Sequence, residues 1–125
     1  MEVGTIKTNH QEPEALLPLT PAVFHILLAL SDKERHGYGI MQEVAWRTNN
    51  QVHMGPGTLY GSIKRMMKDG LLEESGSRPD PELDDERRRY YRLTDLGQRV
   101  VRAEAKRLAN LVQIAQMKHL IQGEA

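Results

Sequence analysis

Cysteine is absent from this 125-residue chain. That excludes disulfides, thiol nucleophiles and cysteine-ligated zinc, and it suits a reducing compartment. Aromatic residues are scarce, 5% of the sequence with one Trp and one Phe, too few for a base-stacking platform on single-stranded nucleic acid. No apolar run approaches the roughly 20 residues of a membrane span, and the first residues lack the apolar centre of a signal peptide. Net charge is missing too, because 17 Lys+Arg balance 17 Asp+Glu. A polyanionic partner would therefore have to be met by a local basic patch and not by a global field. These absences point to one cytoplasmic domain with a modest core and no second lobe to close an enzyme cleft.

What the chain does contain is a sharply punctuated segment over residues 55–70. Gly55 is an acceptable N-cap, and Pro56 suits the first helical position, where its missing N–H costs nothing. Gly70 supplies the stop, since glycine takes a left-handed C-terminal conformation without a Cβ clash. At helical spacing Leu59, Ile63, Met66 and Met67 share one face, and Tyr60, Lys64, Arg65 and Lys68 share the other, with Gly61 among them. An apolar back and a basic front suit a helix laid in a DNA groove. Lysine and arginine neutralise phosphates or read guanine, Tyr60 gives phosphate hydrogen bonds or apolar contact, and Gly61 allows close approach; Thr58, Tyr60 and one basic side chain are the candidates for base-edge contact. The alternative is an ordinary amphipathic helix whose basic face is only solvated.

The rest of the chain is arranged around that segment. Residues 1–18 read as a loose arm whose patch at 14–17 docks on the domain or on a partner. Thr20 and Pro21 repeat the helix-start grammar before a nearly continuous apolar run to Leu30, the mark of a mostly buried helix. Residues 31–35 form a charged connector. His36-Gly37-Tyr38-Gly39 opens a second helix that carries Trp46 near its end and stops at Thr48-Asn49-Asn50. Only four residues then precede Gly55, so a helix-turn-helix is available. Strands are expected at 71–75 and 88–93, the second with Tyr91 and Leu93 on one face and Arg88, Tyr90 and Arg92 on the other. The linker between them is rich in proline and acids. The fold class is thus mainly α with a small β-hairpin: a winged helix-turn-helix over 19–93 followed by a long helical segment over 94–125.

Thr94 caps that last helix, with Asp95 favourably placed in its first turn. Val101, Ala105, Leu108, Val112 and Ala115 recur at alternating four- and three-residue steps, the spacing of a helix-packing seam, and Leu111, Ile114, Met117 and Ile121 widen it. At 1.5 Å per residue the helix outruns a small domain. A second copy of the chain would cover the stripe, and a two-fold pair of reading helices would match a palindromic duplex.

His36-Gly37-Tyr38-Gly39-Ile40, Gly57-Thr58-Leu59-Tyr60 with Lys64-Arg65-Met66, Asp69-Gly70-Leu71-Leu72-Glu73, and Arg88-Arg89-Tyr90-Tyr91-Arg92-Leu93-Thr94-Asp95-Leu96-Gly97 stand in one order along the chain. In this the sequence resembles the PadR family of winged-helix transcriptional regulators, over roughly residues 17–108 and in the short-tailed form with a single helix after the wing. The resemblance implies a homodimer on double-stranded DNA, usually a repressor, released by a small-molecule effector or another signal. It places Thr58, Tyr60, Lys64 and Arg65 on the recognition helix, Tyr38 near the DNA backbone or behind the reading helix, and Arg88 and Arg89 at the base of the wing. Two features depart from the family pattern. The acidic run Asp84-Asp85-Glu86 would repel phosphate, so the wing tip is assigned no DNA role. Some short-tailed relatives sandwich flat drugs with a tryptophan on the C-terminal helix, whereas the one tryptophan here is Trp46, on the second helix.

Other chemistry finds little footing. His25, His36 and His53 lie on different elements without an i, i+4 pair, so no metal site is expected. Gly55-Pro56-Gly57-Thr58 lacks the Gly-Lys-Ser/Thr of a nucleotide loop, and no nucleophile elbow occurs, so neither cofactor nor enzymatic activity is expected. Trp46 is expected to pack with Met41 and Phe24, the other reading being an effector pocket. The rival function is a winged helix that binds another protein, which the neutral net charge and acidic linker would suit.

Overall fold

The computed structural model describes residues 12–76 and 88–122. The first eleven residues of the arm, the acidic linker with Asp84, Asp85 and Glu86, and residues 123–125 lie outside this set.

Each helix starts where a side chain accepts an orphan N–H of the first turn or a proline removes one. In α1 (Pro21–Leu30) the Thr20 hydroxyl accepts from the Val23 N–H. In α2 (Gly37–Arg47) the His36 imidazole accepts from the Gly39 N–H. In α3 (Pro56–Lys68) Gly55 is the N-cap and Pro56 the first residue, and Gly70 beyond its end takes φ 80°. The last helix, α4 (Asp95–Met117), is capped by Thr94. It stops short of the end of the helical segment expected over 94–125, because His119 adopts a left-handed φ of 62° and the Leu120 N–H turns back to the Ala115 carbonyl.

Three antiparallel strands follow the order β1-β3-β2. The expected hairpin is β2 (Leu72–Ser75) against β3 (Tyr90–Leu93), with Leu72 opposite Leu93 and Ser75 opposite Tyr90. The other edge of β3 is covered by β1 (Arg35–His36), which pairs Arg35 with Tyr91 and His36 with Tyr90. This strand falls in what reads as a charged connector running into the second helix, because two residues are too short to show a period-two pattern. It covers the second face of β3: the His36 ring meets Tyr90 edge to face at 5.2 Å, and Tyr90 and Tyr91 are both buried.

The core draws Ile26, Leu27 and Leu30 from α1, Ile40 and Val44 from α2, and Leu59, Ile63 and Met66 from α3. Each such side chain contributes about 1.5–3 kcal/mol of burial. Met67 is corrected to a half-open position at 39% exposure, since one helical step of about 100° carries it past the face that holds Met66. Val101 is corrected as well: it lies in the chain's own core at 6% exposure, beside Val100, and so cannot form part of an outward-facing seam.

Part of the arm is built onto this core. The 3-10 turn Pro13–Leu16 packs on α4, with Leu16, Leu17 and Leu19 against the core cluster. Beneath it Glu104, only 2% exposed, accepts the Leu19 N–H at 3.0 Å and a bidentate Arg107 pair at 2.6 and 3.0 Å. The Arg107 hydrogen bond, aided by the Leu19 N–H, holds this carboxyl below its usual pKa against the opposing effect of burial. A lowered native pKa adds stability that is fully present above the unfolded value near 4.3 and disappears as the pH falls through the native one. Glu104→Ala is expected to cost about 1–3 kcal/mol, read as a lowered melting temperature at neutral pH. Glu104→Gln should flatten the acid limb of the stability profile below about pH 4.3, and an unaltered limb would show that Glu104 does not carry it.

Candidate nucleic-acid interface

Burial of Leu59, Ile63 and Met66 fixes the rotation of α3 and turns Thr58, Tyr60, Gly61, Lys64, Arg65 and Lys68 outward. Arg65 and Lys68 also sit in the last turn, where the helix dipole favours cations. Among the described residues Lys64, Arg65 and Lys68 make no ion pair, whereas several arginines elsewhere are matched. Arg35 faces Asp32 and Glu43, Arg47 faces Glu43, Arg92 faces Glu73, Arg99 faces Asp95 and Arg107 faces Glu104. The α3 front is therefore an uncompensated positive surface.

Beside it opens a cleft of about 450 Å³, lined by His36, Gly37, Tyr38, Tyr60, Arg88, Arg89 and Tyr91. The fold thus brings Tyr38, Tyr60, Arg88 and Arg89 together, from the start of α2, the first turns of α3 and the approach to β3. Thr58, Lys64, Arg65 and Lys68 remain on the α3 front. Tyr38 and Tyr60 are about half exposed, at 53% and 46%. The Arg89 guanidinium bonds Glu74 at 3.0 Å, and this hydrogen bond and charge raise its pKa further. Arg88 lies 2.8 Å from His36 Nε2, while His36 Nδ1 accepts the Gly39 N–H at 2.9 Å. A neutral imidazole has one acceptor nitrogen, so the ring can satisfy Gly39 or Arg88 but not both. Burial foremost, then the Glu74 charge and the neighbouring Tyr60, raise the Tyr91 phenol, which stays neutral.

His36, Gly37 and Tyr91 are cleft residues that sequence reasoning passes over. The His36-Gly37-Tyr38-Gly39 run singles out the place, but the pairing of β1 with β3 that brings the arginines there exists only in the folded chain. Trp46 is a correction: it does not pack with Met41 and Phe24 but stands 80% exposed. Its position lies seven residues beyond Gly39, on the α2 face bordering an open depression with Gln42 and Glu43. His25, His36 and His53 stay apart, and the His25 Nδ1 is buried without a partner, its pKa lowered by burial and by the Arg47 charge. Among the described residues no three His, Cys, Asp or Glu side chains could share a metal ion, and no helix is long and apolar enough to cross a membrane.

On α4, Ala105 and Val112 are exposed and Leu108 and Ala115 half-buried. Leu111, Ile114, Met117, Leu120 and Ile121 continue an apolar surface, each at least 46% exposed.

An outward basic helix, a helix packed behind it and a flanking antiparallel wing define a winged helix-turn-helix. The chain belongs to the PadR-like family of transcriptional regulators, whose pattern matches residues 26–103. It is 34% identical over 89 residues to a protein of Lysinibacillus sphaericus, covering 71% of this chain and 79% of that one. It is 32% identical over 89 residues to Transcriptional regulator Rv3488 of Mycobacterium tuberculosis, covering 71% of this chain and 77% of the relative. A PadR family transcription regulator from Clostridium difficile R20291 superposes with a TM-score of 0.65 over 78% of this chain and 97% of its own, at 24% identity. Family and fold are those of DNA-binding transcriptional regulators, not of enzymes.

Replacing Lys64 and Arg65 together by alanine is expected to abolish duplex binding at moderate salt, with circular dichroism and melting temperature unchanged. Retained binding would remove α3 from the interface.

Proposed function

We propose that the protein is a sequence-specific repressor that binds a palindromic operator as a homodimer. The observation that carries this reading is the α3 front, where Thr58, Tyr60, Lys64, Arg65 and Lys68 stand outward and the three cations have no carboxylate partner among the described residues. Lys64, Arg65, Lys68, Arg88 and Arg89 supply phosphate contacts and salt dependence, and Thr58 with one basic side chain reaches base edges.

The exposed row Leu111, Val112, Ile114, Met117 and Ile121 on α4 supports dimer formation, with Ala105, Leu108 and Ala115 along the same helix. A contiguous apolar surface of this kind is seldom left in water. An effector releases the operator by binding more tightly to a dimer geometry in which the two α3 helices no longer match successive grooves.

Selection from a randomised duplex pool tests the reading. The expected product is a palindrome with half-site centres about 10 base pairs apart, bound more weakly as salt rises. Lack of enrichment over the starting pool would refute it and direct attention to a protein partner. Leu111→Glu with Ile114→Glu is expected to sediment as a monomer and to lose about a hundredfold or more in affinity for the palindrome as the paired half-sites uncouple. A variant that remains dimeric would exclude this face.

A further inference from the structure

We infer that Gly37 is a positioning residue: its missing side chain seats the Tyr60 ring over the first turn of α2 and so holds the Tyr60 hydroxyl on a DNA backbone phosphate, not on a base edge. The inference rests on the operator-binding reading above and makes it more specific.

A Cβ at Gly37 would fall within the space of the Tyr60 ring, against its Oη, Cζ and Cε1 atoms. The backbone at Gly37 makes no left-handed demand, so the steric need for glycine comes from this ring. Tyr60 belongs to the outward face of α3, yet the tip of its ring is drawn away from Lys64, Arg65 and Lys68 into the cleft with Tyr38, Arg88, Arg89 and Tyr91. Its hydroxyl also lies close enough to Tyr91 to raise that phenol's pKa. Among the described residues the Tyr60 hydroxyl has no hydrogen-bond partner, and the ring remains 46% exposed. Two guanidinium groups and two accessible phenols make a donor-rich cleft. Such a set suits phosphate oxygens, which only accept, better than base edges, which present donors and acceptors in mixture.

The obstruction is the far end of an exposed side chain, which can swing outward while the backbone stays in place. Gly37→Ala should therefore spare the fold and displace the hydroxyl. The test is fluorescence anisotropy of the wild type, Gly37→Ala, Tyr60→Phe and the double variant on two labelled duplexes, the selected palindrome and a scrambled duplex of equal length. Each single substitution is expected to weaken binding about tenfold, as for loss of a hydrogen bond to a charged group, by the same factor on both duplexes. The double variant should be no weaker than either single one.

Gly37→Ala binding within about twofold of wild type, or multiplicative losses in the double variant, would overturn the positioning role. A Tyr60→Phe loss confined to the selected palindrome would overturn the phosphate assignment in favour of a base edge. If Gly37→Ala lowers the melting temperature, Gly37→Ala with Tyr60→Ala should restore it while binding stays weak; failure to restore it would overturn the ring seat. A wild-type protein that selects no duplex refutes the operator reading and this inference with it. Selection by the wild type alongside an unimpaired Gly37→Ala refutes this inference alone.

Discussion

Thr94 ties the end of α3 to the start of α4. Its N–H bonds the Leu71 carbonyl at 3.1 Å, and its hydroxyl donates to the Gly70 carbonyl while accepting the Gly97 N–H at 3.0 Å. Just beyond α3, Gly70 turns the chain through φ 80°. Just inside α4, Gly97 leaves room for the Leu71 carbonyl, which a Cβ there would overlap. The end of α3 and the start of α4 are thus joined through backbone groups, which have far fewer alternative arrangements than surface side chains. In a dimer built on α4, the spacing and tilt of the two α3 helices follow from this junction. A small rotation between the α4 helices would be carried to the reading face with little loss.

The charge balance has a similar local logic. A net charge of zero looks unfavourable for a DNA-binding protein, yet most of the acids described face structural arginines. Glu43 joins Arg35 and Arg47 beside α2, Glu73 holds Arg92 across the sheet, and Glu104 binds Arg107 under the arm. These pairs are short-ranged and largely cancel at a distance. The cations of α3 are not cancelled in this way among the described residues, so positive charge is concentrated on that helix although the whole chain is neutral. Arg89 stands between the two cases. Its partner Glu74 is on an exposed part of the sheet, where phosphate can compete for an ion pair weakened by water.

Much of the fold is legible because helix starts and stops are written in a few adjacent residues. Thr20-Pro21, His36-Gly37, Gly55-Pro56 and Thr94-Asp95 each lead into a helix, and Gly70 turns the chain where α3 ends. The orientation of α3 is legible for the same reason, since Leu59, Ile63 and Met66 recur at the helical period. Three readings failed where periodicity gives no information about what covers a face. Arg35–His36 is a strand only because β3 offers it an edge. Trp46 follows the expected helix, but no neighbouring element covers it. Val101 shares its spacing with Ala105 and Leu108, yet lies on the turn of α4 that meets the core.

Sequence alone determined the order of elements, the ends of the helices, the basic front of α3 and the family resemblance. These depend on interactions within a turn or two of chain, which neighbouring residues specify almost completely. Tertiary structure decided which residues share the cleft: Tyr38, Tyr60, Arg88 and Arg89 are as much as 51 positions apart and meet only because β3 pairs with β1, which leads into α2. It also decided that Gly37 lies against the tip of the Tyr60 ring, that Glu104 receives the Leu19 N–H, and that Thr94 closes α3 onto α4. Each of these depends on the distance between segments remote in sequence, and that distance is set by the packing of the whole core.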